Sequence, residues 1–369
     1  MIRAIFALLL LLHGLIHLMG FVKAFQLADI EQLTLSISKP AGIFWLIASI
    51  LFVIAGVVHF YDKNWWWMVA ALGIIISQLL IFMYWQDAKF GTIANIIILL
   101  ACLPAYGSWN FKDMVNREKQ AFLSSAKVTE EIISEEDLES VPDIVQLWME
   151  NAGIVGKERT ATVFFRQSGE MRTSIDGSWM EVEAEQFVRT ANPGFIWMAD
   201  VKAAPYIYLA GRDKYVDGKG QMLIKLLSLV PVADSKGKEI DQGAMLRYLA
   251  EIVWYPSAAL ENYISWKEVD STRVKATMTY GDITASGLFD FNKYGEVIRF
   301  EAERYYDRKD KATLETWVID IREDSYQLIS GIRVPTKAQV TWKLPEGDFT
   351  WYKLEISDLE YNIADKPDL

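Results

Sequence analysis

Residues 272–282 read TRVKATMTYGD, in which Val274, Ala276, Met278 and Tyr280 alternate with Arg273, Lys275, Thr277 and Thr279. Alternation at a period of two places apolar side chains on one face of a strand and polar ones on the other, the pattern of a half-buried antiparallel sheet. Gly281 and Asp282 then supply a hairpin turn. Working outward, the same pattern recurs from Thr160 onward. In SWMEVEAEQFV (178–188), Met180, Val182, Ala184 and Val188 share one face and Glu181, Glu183 and Glu185 the other. FDFNKYGEVIRF (289–300) is a second hairpin, turning near Lys293 to Gly295, and YVDGKGQ (215–221) a third. The last of these lacks the following helix that a phosphate-binding loop needs. The prediction is an antiparallel meander.

One helix interrupts the strands. Asp241 is placed to cap DQGAMLRYLAEIVW (241–254), whose Met245, Leu246, Leu249, Ile252 and Val253 form an apolar stripe, and Pro256 stops it. A helix inserted in a long antiparallel sheet predicts that the sheet curls and the helix covers its concave face, leaving an apolar cavity. Arg247, Glu251, Trp254, Trp197 and Trp266 are the residues expected at such a ligand site. Arg247 and Glu251 stand four apart and can pair. The aromatic set, which also includes Trp179, Trp317, Trp342 and Trp351, reads first as core and sheet-face packing, with some members lining the cavity.

The chain before Trp109 is different in kind. Four stretches, roughly 2–21, 41–60, 65–84 and 92–109, are apolar over the ~20 residues that a helix needs to cross a bilayer. Pro104 is expected to kink or end the fourth. Trp65, Trp66, Trp67, Tyr84, Trp85 and Trp109 fall at the predicted ends, where amphipathic rings favour the headgroup layer. A cleaved signal peptide is the rival reading of the first stretch, but its apolar run is long and a lysine stands within Val22, Lys23, Ala24. Retention is expected. Residues 26–38 suit a short interfacial helix or a loop. Basic residues place Arg3, Lys63, Lys112, Arg117 and Lys119 on one side against Lys23, Lys39 and Lys89, a narrow bias toward a cytoplasmic soluble domain. WQDAKFGTIAN (85–95) sets Asp87 and Lys89 together in the turn between spans three and four.

All three histidines, His13, His17 and His59, lie in this part. His13 and His17, four apart, share a helix face at a spacing that metal or haem sites use, so they are the candidate metal ligands. At about 1.5 Å rise per residue, His59 falls at the opposite surface from His17. The competing reading has the pair hydrogen-bonding to polar neighbours such as Ser77 or Gln78 on the third span.

The net charge is -11 and falls almost wholly after Trp109, with no Lys or Arg run, which disfavours nucleic acid as a partner. The single cysteine, Cys102, excludes an intrachain disulfide. With neither His nor Cys after Trp109, catalysis in the soluble part would need carboxylates, Lys, Ser or Tyr. Arg212, Asp213 and Asp217 are one such group, and Arg247 with Glu251 another. No catalytic constellation emerges and no cofactor is expected.

The stretches GEMR (169–172), KLLSLVPV (225–232) and RYLAEIVWYPSAAL (247–260) resemble an uncharacterised bacterial family, the domain-of-unknown-function group numbered 6544. HGLIHLMGF (13–21) and WQDAKFGTIANIIILL (85–100) look like the four-span segment that precedes this domain in some members. GIRVPTKAQVTW (331–342) followed by YKLEISDLEYN (352–362) is similar to the last strands of lipoprotein-carrier domains of the LolA and LolB type. That likeness implies a half-barrel with helices in its concavity and acyl chains as ligands. The expected architecture is therefore α+β. It comprises a four-span transmembrane domain (1–110), a linker with short helices (111–155) and an antiparallel β-rich soluble domain (156–369) built as a LolA-like half-barrel with an inserted helix. The expected function is that of a multi-pass membrane protein of the bacterial inner membrane that binds a lipid or other apolar ligand. Self-association through the bundle is a further expectation. A membrane enzyme or redox protein centred on the histidine pair, and a structural or regulatory assembly module, are the alternatives.

Overall fold

The first apolar run forms α1 (Ile2–Ala24), and α2 (Lys39–Phe60), α3 (Trp66–Met83), the single turn α4 (Trp85–Ala88) and α5 (Gly91–Ser124) follow in the computed structural model. It describes residues 2–126, 130–308 and 311–363. Four of these helices are long and apolar enough to cross a membrane. The chain divides into two units, Met1–Lys112 and Asp113–Leu369.

In the first unit small residues let helices approach closely. A Cβ on Gly20 of α1 would enter the ring of Trp45 on α2. A polar chain joins α1 to α3 and α5. His13 Nε2 bonds Asn95 Oδ1 at 2.9 Å, and His17 Nε2 bonds Ser77 Oγ at 2.8 Å. Asn95 Nδ2 donates to Ser77 Oγ and to Gln78 Oε1, both at 3.0 Å. The segment 26–38 is a loop rather than an interfacial helix. Its shape follows from Asp87, whose carboxylate accepts from Thr34 N at 2.7 Å, Thr34 Oγ1 at 2.6 Å and Leu35 N at 2.8 Å. Asp87 is thus committed to that loop, while Lys89 lies over the Phe90 ring.

Pro104 lies inside α5 without ending it, and the helix runs on into the stretch expected to be a linker. Proline forfeits one backbone bond, and the period of Val115, Glu118 and Phe122 carries the helix onward. In the second unit, Glu118 pairs with Arg212 at 3.0 Å and Lys214 at 2.7 Å, and the Arg189 guanidinium sits 4.1 Å from the Phe122 ring centroid. Burial holds the Arg212 guanidinium below its ordinary value, and Glu118 works against that shift. Glu118→Ala should therefore cost about 1–3 kcal/mol, the price of leaving a buried charge short of a partner. Hydrogen exchange over residues 113–124 checks it, with faster exchange expected in the variant.

A helical turn at Glu136–Ser140 and α6 (Asp143–Ala152) lead into the sheet. Val145, Trp148, Met149 and Ala152 bury one face of α6, with Trp148 against Phe289 and Phe291. The strands then run β1 (Thr162–Met171), β2 (Met180–Arg189), β3 (Gly194–Ala204), β4 (Ile207–Val216), β5 (Lys219–Leu226) and β6 (Val230–Ser235). After α7 (Lys238–Glu251) and two helical turns at 252–254 and 256–260 come β7 (Ile264–Asp270), β8 (Arg273–Tyr280), β9 (Ile283–Phe291), β10 (Val297–Tyr306) and β11 (Thr313–Ile321). The hairpin β12 (Tyr326–Ile329) and β13 (Ile332–Pro335) stands apart, and β14 (Lys337–Leu344) and β15 (Gly347–Tyr361) complete the chain. The three predicted hairpins are present, the β4–β5 turn holding Asp217 and Gly218 at φ 51° and 77°.

Thirteen strands form one antiparallel sheet in the order β6-β5-β4-β3-β2-β1-β15-β14-β11-β10-β9-β8-β7. Its two edges, β6 and β7, are consecutive in sequence, so the segment carrying α7 must pass from one edge to the other. It does so across the concave face of the curled sheet, touching β3, β4 and β5 on one side and β8, β9 and β10 on the other. This is the half-barrel with an inserted helix.

Enclosure changes α7 from the amphipathic helix of the sequence. Tyr248, Ala250 and Glu251 are buried along with Met245, Leu246 and Leu249, so apolar contact is not confined to one stripe. Asp241 is not the N-cap, because the helix begins at Lys238 with Gly237 before it, about two turns ahead of Met245, the first apolar residue of the pattern. Its carboxylate instead accepts from Gly220 N at 2.8 Å and Lys219 Nζ at 3.0 Å, pinning the helix to the β4–β5 hairpin.

Candidate functional site

The core-facing positions of β1, β2 and β3 are not all apolar. On β2, Gln186 follows Val182 and Ala184 at the same parity; on β1, Gln167 follows Val163 and Phe165. Both amides are almost fully buried. Opposite them, α7 presents Arg247 and Glu251 one turn apart, and the four-residue spacing brings the two side chains together.

Arg247 is the centre of a closed network. Its Nε donates to Glu251 Oε1 at 2.8 Å, Nη1 to Asp213 Oδ2 at 2.8 Å and Nη2 to Gln186 Oε1 at 2.7 Å. The Gln186 amide donates in turn to Glu251 Oε2. The guanidinium also lies 4.6 Å from the Phe195 centroid and 5.0 Å from that of Trp197, a cation–π arrangement. Burial works against the charge on Arg247, but Glu251 and Asp213 outweigh it and hold the group above its ordinary value. The ion pair with Asp213 holds α7 to β4, and the hydrogen bonds with Gln186 hold it to β2.

Beside this network is a cavity of about 220 Å³. Arg247, Glu251, Asp213 and Arg212 contribute to its lining, and the remainder is mostly apolar, with Met171, Met180, Leu209, Ile319 and Leu354 among it. Trp197, Trp254, Trp317 and Trp351 contribute aromatic walls. Trp254 is anchored from both ends, its Nε1 donating to Pro335 O at 3.0 Å and its carbonyl accepting from Tyr361 Oη at 2.8 Å. Gln167 Oε1 accepts from Trp197 Nε1 at 2.7 Å and Tyr352 Oη at 3.3 Å.

Four of the five residues expected at a ligand site, Arg247, Glu251, Trp254 and Trp197, therefore share one cavity. Trp266 is placed elsewhere, on β7, where its Nε1 donates to Ala259 O at 2.9 Å and its ring packs on Phe289. Asp217 lies apart from Asp213 and meets Arg189 at 3.5 Å. Gln167, Gln186 and Arg304 were not expected at the site. Their common signal is a polar side chain at core parity in an otherwise alternating strand; for Arg304 the preceding members are Phe300 and Ala302.

The histidine pair sits in a second cavity, of about 320 Å³, in the first unit, which Trp45 and Asp87 also line. Both nitrogens of His17 are engaged, Nδ1 by His13 O at 2.8 Å and Nε2 by Ser77, and His13 Nε2 is engaged by Asn95. Among the described residues no group of three or more His, Cys, Asp or Glu is arranged to hold a metal ion.

A family model described as "Family of unknown function (DUF6544)" matches residues 131–354, more than half of the sequence. The chain belongs to this family. The matched region contains α7, the Arg247 network, the residues that line the cavity and β15 as far as Leu354. No curated protein matches the sequence. Among solved structures, a putative outer membrane lipoprotein-sorting protein domain from Vibrio parahaemolyticus is similar at 9% identity and a TM-score of 0.33, over 60% of this chain and 93% of that one. A DUF1329 family protein from Desulfovibrio piger is similar at 11% identity and a TM-score of 0.34, over 62% of this chain and 95% of that one.

Proposed function

We propose that this chain is a membrane-anchored binding protein whose half-barrel takes up a lipid or other apolar ligand between the sheet and α7. The observation that carries the reading is the lining of the 220 Å³ cavity, in which aromatic and aliphatic side chains predominate around a few polar groups. Sites of that composition are the usual form of small-molecule pockets. Asp213, Arg247 and Glu251 among those polar groups are already committed to one another in the Arg247 network, which favours a structural and orienting role for them over acid–base chemistry. In this reading α1, α2, α3 and α5 cross the bacterial inner membrane and place the binding domain close to the source of its ligand. The distribution of basic residues favours the cytoplasmic side for that domain.

The cavity lies just below the ~300–1,000 Å³ common for small-molecule sites, so one chain is a better match than a whole diacyl lipid. Extraction into nanodiscs followed by native mass spectrometry is expected to show a stoichiometric apolar adduct that dissociates on activation. A delipidated protein that recovers no such adduct when offered mixed cellular lipids would sink the reading.

A further inference from the structure

Among the described residues, Arg304 of β10 is the charged member of the cavity lining that has neither a hydrogen-bond nor an ion-pair partner. It is partly buried, its guanidinium 4.5 Å from the Trp317 centroid and 5.8 Å from that of Trp342. Asp213 and Glu251 are near enough to feel its charge, but among the described residues Arg304 makes neither a hydrogen bond nor an ion pair. Arg212 and Arg247, by contrast, are saturated by carboxylates and amides. Arg247 and Arg304 together with Asp213 and Glu251 are formally neutral, so what Arg304 lacks is contact rather than balance.

The other unmet groups of the lining have the same sign. Gln167 Nε2, Trp317 Nε1 and Trp351 Nε1 are buried and have no acceptor among the described residues. The orientation of Gln167 follows from its neighbours, since Trp197 and Tyr352 both donate to its oxygen. Apart from the Arg212 Nε, which Glu118 already meets, the unsatisfied buried side-chain atoms of the cavity residues are these N–H donors, and no buried side-chain oxygen among the lining residues lacks a donor. Unmet donors in an apolar enclosure call for a ligand that brings acceptors, and a free guanidinium calls for an anionic one. Burial, with Arg247 adding to it, pushes the Arg304 guanidinium down to about 10 against the opposing pull of Asp213 and Glu251. At neutral pH it remains charged, and an anion in contact would offset its desolvation.

We infer that the ligand is a single-chain amphiphile with an anionic oxygen head, a carboxylate or a phosphate monoester, whose head is held by Arg304. The chain then lies toward Met171 and Met180, which are paired at the end of the β1–β2 ladder away from the network. This inference rests on the apolar-ligand reading and specifies its polar end.

The test uses the full chain in nanodiscs and three photoactivatable probes of one alkyl chain, ending in carboxylate, phosphate or hydroxyl. Labelled peptides are quantified by mass spectrometry, so that bilayer labelling of the membrane helices is separated from labelling of the cavity. The carboxylate or the phosphate probe should half-saturate the cavity at a concentration about ten-fold lower than the alcohol, the effect of one charge-assisted hydrogen bond. Whichever acid is tighter names the source. Arg304→Met should abolish the preference while leaving the alcohol within about two-fold, and Arg304→Lys, which keeps the charge, should retain part of it. If all three probes label the cavity equally, the anionic head is overturned; if Arg304→Met and Arg304→Lys both leave the preference intact, Arg304 as its holder is overturned; in either case the apolar reading stands. If no probe labels it, both fail.

Discussion

Arg247→Met is expected to lower the stability of the sheet unit by about 3–5 kcal/mol, because it breaks a buried ion pair from one side only. The side chains of Arg247, Asp213 and Glu251 are 15%, 16% and 6% exposed, so water cannot replace the lost partner. Removing the guanidinium leaves Glu251 with Gln186 as its remaining donor and strips Gln186 Oε1 of its own. For a unit of this size the loss corresponds to a fall in Tm of about 6–20 °C. Thermal melts of the two proteins measure it, and a variant that melts with the wild type would mean that Asp213 and Glu251 find other partners. Replacing all of Arg247, Asp213, Glu251 and Gln186 by apolar residues of similar size should recover much of the loss, since it is the orphaned charge that is costly.

The same network marks where sequence reasoning reached and where it stopped. Period-two alternation identifies strands because the sheet has one buried face, and residues 272–282 form β8 and its turn as read. The four apolar runs are equally plain, since length and composition alone decide whether a helix can cross hydrocarbon. The pairing of Arg247 with Glu251 is local and follows from helical spacing. Their bonds to Asp213 and Gln186 are not local: they depend on the sheet curling until β2 and β4 meet α7, which no window of sequence contains. Gln186 and Arg304 do leave a trace, a polar residue at core parity, but only once the register is known. Asp241 misled for a related reason. The apolar period begins after it, whereas the helix begins before it, on a turn held by tertiary bonds to the β4–β5 hairpin. Trp266 and Trp254 are indistinguishable as sequence. Trp254 faces the cavity because the helical turn after α7 directs it there, while Trp266 on β7 packs onto Phe289.

Trp254→Ala should cost about 3–5 kcal/mol and at the same time enlarge the site, which separates packing from binding. Trp254 is 4% exposed, packs edge-on against Phe165 at 5.3 Å between centroids and donates to Pro335 O. Its removal withdraws a large aromatic surface from the core and leaves the Pro335 carbonyl without its donor. Trp254→Phe keeps much of the ring and loses only the hydrogen bond, so it should cost about 1–2 kcal/mol. The consequence for binding runs the other way. Since Trp254 is a wall of the cavity, the alanine variant gains volume where the ligand's chain is enclosed, and its preferred chain length should rise by several methylenes at about 0.8 kcal/mol for each one newly buried. A series of alkyl ligands of increasing length, titrated against wild type, Trp254→Phe and Trp254→Ala at a temperature where all three are folded, gives the optimum for each. An optimum that does not move on Trp254→Ala would place the chain elsewhere in the lining, on the side of Trp317 and Trp351, because a chain packed against the indole cannot be indifferent to its loss.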